Sequence, residues 1–342
     1  MTRVTLGSTG ITVNKNGFGA LPVQRVSVDE AVLLLRKAYD NGIDFYDTAR
    51  YYTDSEIKLG EAFEGVRDKI YIATKTGAQT ADAFWTDLET SLNNLRTDYI
   101  DIYQFHNPAF CPKPGDESGL YDAALEAKRQ GKIRHIGITN HRLSVAQEAI
   151  DSGLYETLQF PFCYISGDQE LSLVKQCAEK NMGFIAMKAL SGGLITNSAA
   201  AYAFMAQYPN VLPIWGIQKE SELDEFISYI DNEPEMTGEI AELIKKDRDE
   251  LCGEFCRGCG YCMPCPVGIE INNSARMSLM LRRAPSSAWL TEEWQRKMKL
   301  IESCLHCGKC KSHCPYGLDT PTLLAKNYED YKRVLAGEVK VQ

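Results

Sequence analysis

No run in this 342-residue sequence approaches the ~18 consecutive apolar residues that a bilayer-spanning helix needs, so no membrane is expected among its partners. The opening MTRVTLGSTG has no apolar core of a signal peptide, and a cytoplasmic location is expected. No strand candidate leads into G-x-G-x-x-G. The nearest approach, GFGALP, lacks the third glycine, which weighs against an open dinucleotide-binding sheet. There is no low-complexity tract, and no repeat beyond one pair of cysteine runs. What is present is 44% hydrophobic and 24% charged, enough for a full core with room for a second small domain.

Twelve cysteines stand out against that ordinary background. Nothing points to secretion, and their spacing is that of metal ligands in a reducing compartment rather than of disulfides. Charge is also unevenly spread. Residues 253–342 hold 13 Lys/Arg against 9 Asp/Glu, a net of +4, whereas residues 1–252 hold 24 against 37, a net of −13. A basic shell would offset anionic cluster thiolates; it would also suit docking of an acidic electron carrier by opposite charge. No nucleic acid is expected among the partners.

From residue 1 to about 232, short β-branched or aromatic runs alternate with amphipathic helical stretches, the pattern of parallel strands joined by helices. The strand candidates are KNGFGA (15–20), DFYDTA (44–49), IYIATKT (70–76), YIDIYQFH (99–106), IRHIGITN (133–140), TLQFPFCY (157–164), GFIAMKAL (183–190) and VLPIWGIQ (211–218). Between the first two, VDEAVLLLRKAYDNG has Asp29 and Glu30 in the first turn and Gly42 at the stop. Eight such units predict an α/β fold, a closed (β/α)8 barrel over residues 1–235, opened by a hairpin at VTLGSTGITV. A polar linking helix is expected over 236–252, and a small, mostly α-helical, ferredoxin-like domain over 253–342, with a last helix near 320–335.

The second cysteine run, Cys304, Cys307, Cys310 and Cys314 followed by Pro315, has the C-x2-C-x2-C-x3-C-P form that holds iron–sulfur clusters in bacterial ferredoxins. The first, Cys256, Cys259, Cys262 and Cys265 followed by Pro266, is one residue shorter before its last cysteine. The bland alternative is a pair of zinc sites, since C-x2-C is also a zinc spacing. The runs resemble those of two-cluster ferredoxins, and that resemblance implies two [4Fe-4S] clusters with crossed ligation: Cys256, Cys259 and Cys262 with Cys314, and Cys304, Cys307 and Cys310 with Cys265. Cys252, Cys111, Cys163 and Cys177 lack partner spacing and read as bystanders.

In a (β/α)8 barrel the chemistry sits at the carboxyl ends of the strands. Asp47 and Tyr52 follow strand two, Lys75 ends strand three and His106 ends strand four. A tyrosine with a free pKa near ~10 is a poor acid, and a neighbouring ammonium moves it toward neutrality. Lys75 is expected to do this, with Asp47 holding Lys75 and His106 orienting a carbonyl oxygen. NGFGA, DTARYY, IATKTG and QFHNP resemble the aldo-keto reductases over about residues 1–230. With the cysteine runs, the chain is similar to the ferredoxin-bearing branch of that family. The resemblance implies hydride exchange between a nicotinamide and a small carbonyl or alcohol, with Tyr52 as general acid or base.

It further implies that Thr139, Asn140 and Gln159 hold the carboxamide. Met187 stands where the family has a stacking tyrosine, and Lys188 replaces a serine that contacts pyrophosphate. Gly216 and Glu222 stand where cations would bind a 2′-phosphate, which points to NAD(H) rather than NADP(H). A nicotinamide moves electrons in pairs and a [4Fe-4S] cluster moves them singly; a flavin is the usual converter, and the chain has no separate flavin domain. The leading expectation is a carbonyl–alcohol redox enzyme wired by its clusters to a partner such as an acidic ferredoxin or flavodoxin. The alternatives are an NADH-dependent reductase with structural or redox-sensing clusters, and an electron-transfer protein with a non-catalytic barrel. A core position is the default reading for Trp85, Phe110 and Phe162, with an apolar rim around the substrate as the alternative.

Overall fold

The computed structural model describes residues 2–251, 255–283 and 286–341. The chain divides into two units, residues 1–189 with 198–238, and residues 190–197 with 239–342. Cys252 lies outside the described residues.

The first unit opens on the expected hairpin. Strand β1 (Arg3–Thr5) pairs antiparallel with β2 (Thr12–Asn14), and Gly10 supplies the positive φ of 71° that the turn requires. Eight parallel strands then close into a barrel: β3 (Gly17–Gly19), β4 (Phe45–Asp47), β5 (Tyr71–Thr76), β6 (Ile100–His106), β7 (Ile133–Thr139), β8 (Thr157–Pro161), β9 (Gly183–Met187) and β10 (Val211–Gly216), with β10 pairing back onto β3. Every strand candidate contains an observed strand, trimmed at its ends where the chain turns into a loop. Val4, Leu6, Ile11 and Val13 of the hairpin pack against Phe45, Ala73, Ile102, Ile185, Leu212 and Ile214 of the barrel. This apolar plug fills the end where the strands begin and leaves polar chemistry to the end where they finish.

The helices behave as their caps dictate. Val28–Asp40 starts on a reciprocal box in which Ser27 Oγ accepts from Glu30 N and Glu30 Oε2 accepts from Ser27 N at 2.9 Å. It stops before Gly42, whose φ is 86°.

In the second unit no strand occurs among the described residues. Ile271–Ser274, Met277–Arg283 and Glu292–Lys299 pack with the terminal helix Thr320–Leu335, whose Leu324, Asn327, Tyr331 and Val334 are buried, while Gly238–Leu251 is held through Arg283. Asn327 ties that helix to the preceding ones, accepting from Ser278 N at 2.8 Å and donating to Ala275 O at 3.1 Å. Arg283 joins Asp247 and Glu250 to the carbonyl of Leu194, which is how the 190–197 loop becomes part of this unit. No helix among the described residues is long and apolar enough to cross a membrane.

Candidate functional site

The ends of β4, β5 and β6 bring Asp47, Lys75 and His106 to the open mouth of the barrel, and Tyr52 reaches the same place from the turn after β4. Lys75 Nζ donates to Asp47 Oδ1 at 2.7 Å and to Thr48 O at 2.6 Å. Both charged side chains are buried, at 1% and 3% exposure. Burial pushes Asp47 up and Lys75 down, and each is opposed by the other's charge. Lys75 Nζ lies 5.2 Å from the centre of the Tyr52 ring, and that ring meets His106 edge to face at 5.8 Å. Tyr52 and His106 are only partly buried.

One sequence expectation is corrected here. Tyr52 is not drawn toward neutrality, because Lys75 faces the ring and is held by Asp47 and Thr48. Burial and the Asp47 charge push the Tyr52 phenol well above its ordinary value. His106 moves the other way, pushed down to about 3 by burial and by the Lys75 charge. At neutral pH the mouth therefore holds a protonated phenol beside a neutral imidazole, a pair of hydrogen-bond partners suited to a carbonyl oxygen.

Beneath this group lies a residue that sequence reading missed. Gln104 Nε2 donates to Gln159 Oε1 at 2.8 Å, and Gln159 Nε2 reaches Asp47 Oδ1 at 3.3 Å, so an amide ladder supports the ion pair from inside the barrel. The available signal was period two: Gln104 stands two residues before His106 and shares its face. Gly137 makes room for the ladder, since a Cβ there would fall 2.9 Å from Gln104 Cγ and 2.3 Å from Thr157 Oγ1.

Of the residues expected around a cofactor, Thr139 is buried at the end of β7 and Gln159 in the middle of β8, and Thr139 Oγ1 lies 3.9 Å from Met187 Sδ. The Asn140 side chain is engaged in its own loop, donating to Pro108 O at 2.9 Å and accepting from His141 N and Arg142 N. Lys188 has a φ of 57° at the end of β9. His141, also unforeseen, is 5% exposed, and its pKa is pushed down by burial, then by Lys188 and His106. Gly216 is exposed at the end of β10, and Glu222 Oε2 accepts from Gln218 N at 2.9 Å and Lys219 N at 3.0 Å at the start of the next helix.

Phe162 takes the core position, fully buried among Phe184, Phe204 and Tyr208. Trp85 packs with Lys132, which precedes the first residue of β7 and so lies away from the mouth. Phe110 stays 38% exposed.

In the second unit the two cysteine runs interleave. Burial raises the Cys256 thiol, and both Cys259 and Cys314 lie near enough to raise it further. Cys262 is pushed up to about 12 by burial, with Cys256 and Cys259 beside it. A cavity is lined by Cys262 and Cys265 of the first run together with Cys304, Cys307 and Cys310 of the second. Among the described residues no three Cys, His, Asp or Glu side chains are drawn close enough to hold a single metal ion. Two all-thiol sets spread around a space fit the donor chemistry of iron–sulfur clusters. Cys111, Cys163 and Cys177 are buried elsewhere in the barrel unit.

Comparison with known proteins agrees with this division. The model described as the aldo/keto reductase family matches residues 15–200, more than half of the chain, and that of a 4Fe-4S dicluster domain matches residues 255–319. Among curated relatives, L-galactose dehydrogenase of Arabidopsis thaliana is 31% identical over 211 residues, 56% of this chain and 66% of that protein. Methylglyoxal reductase DkgB of Salmonella typhi is 34% identical over 148 residues, 41% of this chain and 52% of that protein. The chain therefore spans between half and two thirds of the length of these relatives. An aldo-keto reductase of Klebsiella pneumoniae, solved in complex with NADPH, superposes with a TM-score of 0.60 at 22% identity, over 72% of this chain and 95% of its own. On the family match, the closed barrel and the interleaved cysteine runs, the chain belongs to the aldo/keto reductase family and carries a 4Fe-4S dicluster domain after its barrel.

Proposed function

We propose that the protein interconverts a small carbonyl and its alcohol at the barrel mouth and exchanges electrons with a redox partner through two [4Fe-4S] clusters. The observation that carries the first half is the convergence of Tyr52 and His106 on the buried Lys75–Asp47 pair, joined at 2.7 Å. A nicotinamide, when bound, supplies or accepts the hydride. In carbonyl reduction, Tyr52 donates its hydroxyl proton to the oxygen while His106 fixes that oxygen by a hydrogen bond. Lys75, anchored by Asp47, places a positive charge behind the phenol ring, where it offsets phenolate charge as the proton leaves. In alcohol oxidation the same proton returns to Tyr52.

Thr139, Gln159 and Met187 fit a nicotinamide: buried hydrogen-bonding side chains lie at the end of β7 and within β8, and a soft thioether 3.9 Å from the Thr139 hydroxyl can cover a ring. NAD(H) is favoured over NADP(H), because Gly216 offers no cation and the Glu222 carboxylate already accepts from the backbone N–H groups of Gln218 and Lys219. The ligands proposed for the clusters are Cys256, Cys259, Cys262 and Cys314 for one, and Cys304, Cys307, Cys310 and Cys265 for the other. Conduction is favoured over a purely structural role by access: Cys307 is exposed and Leu305 beside it is 64% exposed. With the net charge of +4 over residues 253–342, this edge suits an acidic ferredoxin or flavodoxin.

The test is anaerobic purification, with iron, sulfide and extracted-cofactor analysis, followed by turnover of small aldehydes, ketones and polyols with reduced or oxidised nicotinamide and with an acidic ferredoxin. Turnover lost in Tyr52→Phe and coupled to ferredoxin supports the proposal. Loaded clusters without turnover of any carbonyl or alcohol reject the barrel chemistry. Extracted flavin would place that cofactor at the mouth instead.

A further inference from the structure

Arg276 is a buried cation without a carboxylate partner. Its side chain is in a residue 8% exposed, and no acidic side chain pairs with it among the described residues. Nη1 donates to Gly192 O at 3.0 Å, and Nη2 lies 3.4 Å from Asn273 Oδ1. Nε is buried with no hydrogen-bond partner. The guanidinium lies against Gly258, which stands between Cys256 and Cys259 in the sequence. A Cβ on that glycine would meet Arg276 Cζ at 2.7 Å, Nη1 at 2.9 Å and Nη2 at 3.0 Å. Glycine is thus required there for space, and also for its φ of +64°. Gly258 N in turn reaches Cys256 Sγ at 3.4 Å.

An unpaired buried charge costs several kcal/mol, so a guanidinium in this position needs a counter-charge. Cys256 and Cys259, which flank the glycine it packs on, would supply that counter-charge as cluster ligands. We infer that Arg276 is the counter-ion of the cluster held by Cys256, Cys259, Cys262 and Cys314, and that it raises the reduction potential of that cluster selectively, biasing an electron shared by the pair toward it. The inference rests on the cluster assignment proposed above. Reduction adds one electron and no proton, making the cluster one unit more negative, and a fixed neighbouring cation stabilises that state. The free Nε–H is a further donor for a cluster sulfur. Among the described residues no such buried arginine packs against the backbone of the other set; its edge is open to water at Cys307.

The experiment is an EPR-monitored redox titration of the loaded protein, with iron and sulfide counted first. Arg276→Gln should lower one potential by at least tenfold in the electron-sharing constant, ~59 mV for one electron, and move the other by less than twofold. Arg276→Lys, which keeps the charge, should hold the first potential within threefold of the parent. No change in Gln, an equal change in both clusters, or Lys moving as far as Gln each overturn the inference while leaving the clusters themselves in place. Absence of clusters in the parent overturns this inference and the assignment together. Should the Gln variant fail to load, [15N]arginine labelling of the unsubstituted protein decides. Pulsed EPR should find a 15N coupling on one reduced cluster that Arg276→Lys abolishes, and no such coupling on either cluster would reject the idea.

Discussion

Lys75 donates to Asp47 at 2.7 Å in a place where both side chains are almost wholly withdrawn from water. A buried pair of this kind is weak evidence for stability but is costly to break, because removing one partner leaves the other charge uncompensated. Asp47→Asn should therefore lower stability by about 3–5 kcal/mol in denaturant titration. Carbonyl reduction should fall roughly 10²-fold or more, because Lys75 loses the group that holds it behind Tyr52. A variant with unchanged midpoint and near-normal turnover would mean that the pair is neutral and that Lys75 is placed by Thr48 alone.

Tyr52→Phe removes the proposed proton donor and little packing, and should lower turnover by roughly 10²–10⁴ while cluster content stays normal. The pH profile follows from the environments. Reduction needs Tyr52 protonated, which holds at pH below its raised pKa, and His106 neutral, which holds above about 3. Both conditions are met throughout the neutral range, so log kcat/KM for reduction should be flat there. An alkaline limb near neutrality that vanished in Tyr52→Phe would show that a bound cofactor pulls the phenol down to the value expected from sequence.

Crossed ligation has a signature that local ligation lacks. Cys314→Ser should damage the cluster of Cys256, Cys259 and Cys262, although Cys314 belongs to the other run and lies near Cys256 in the structure. Cys265→Ser should damage the cluster of Cys304, Cys307 and Cys310, with which it lines one cavity. Spectra in which each substitution harmed only the cluster of its own run would reject the assignment.

The barrel and the terminal helix were legible because they are written in local periodicity and capping. Ser27 and Glu30 close a box four residues wide, and the strand runs of β6 and β7 are short, rich in β-branched and aromatic residues, and almost wholly buried. Tyr52, Lys75 and His106 were legible because strand ends in this fold all face one mouth. What could not be read was orientation. Whether Lys75 meets the hydroxyl or the ring of Tyr52 depends on side-chain directions across two strands and a turn, and it reverses the expected pKa shift. Phe162 was left between core and rim for a similar reason: an aromatic after a strand looks alike whether it turns into the helix layer or out to the rim. Arg276 gave no signal, since nothing in its neighbours in sequence marks it as packing on Gly258 eighteen residues earlier.

The proposed preference for NAD(H) rests on Glu222. Its carboxylate accepts from Gln218 N and Lys219 N, so the helix N-terminus that would attract a 2′-phosphate is already occupied by a fixed negative group. Two like charges at ~4 Å repel by about 1 kcal/mol in water and about 4 at an effective dielectric of 20. A tenfold preference needs only ~1.4 kcal/mol, so a partly buried Glu222 is sufficient to favour NADH. Anaerobic titration of both reduced nucleotides should give NADH the lower Kd by about tenfold or more. Glu222→Gln keeps an acceptor for the two N–H groups while removing the charge, and should narrow the gap. Glu222→Arg frees the N–H groups and adds a cation, and should reverse it. Tighter NADPH binding by the parent protein would reject this reading of the loop, and a gap unchanged by both substitutions would move the discriminating contact away from Glu222 altogether.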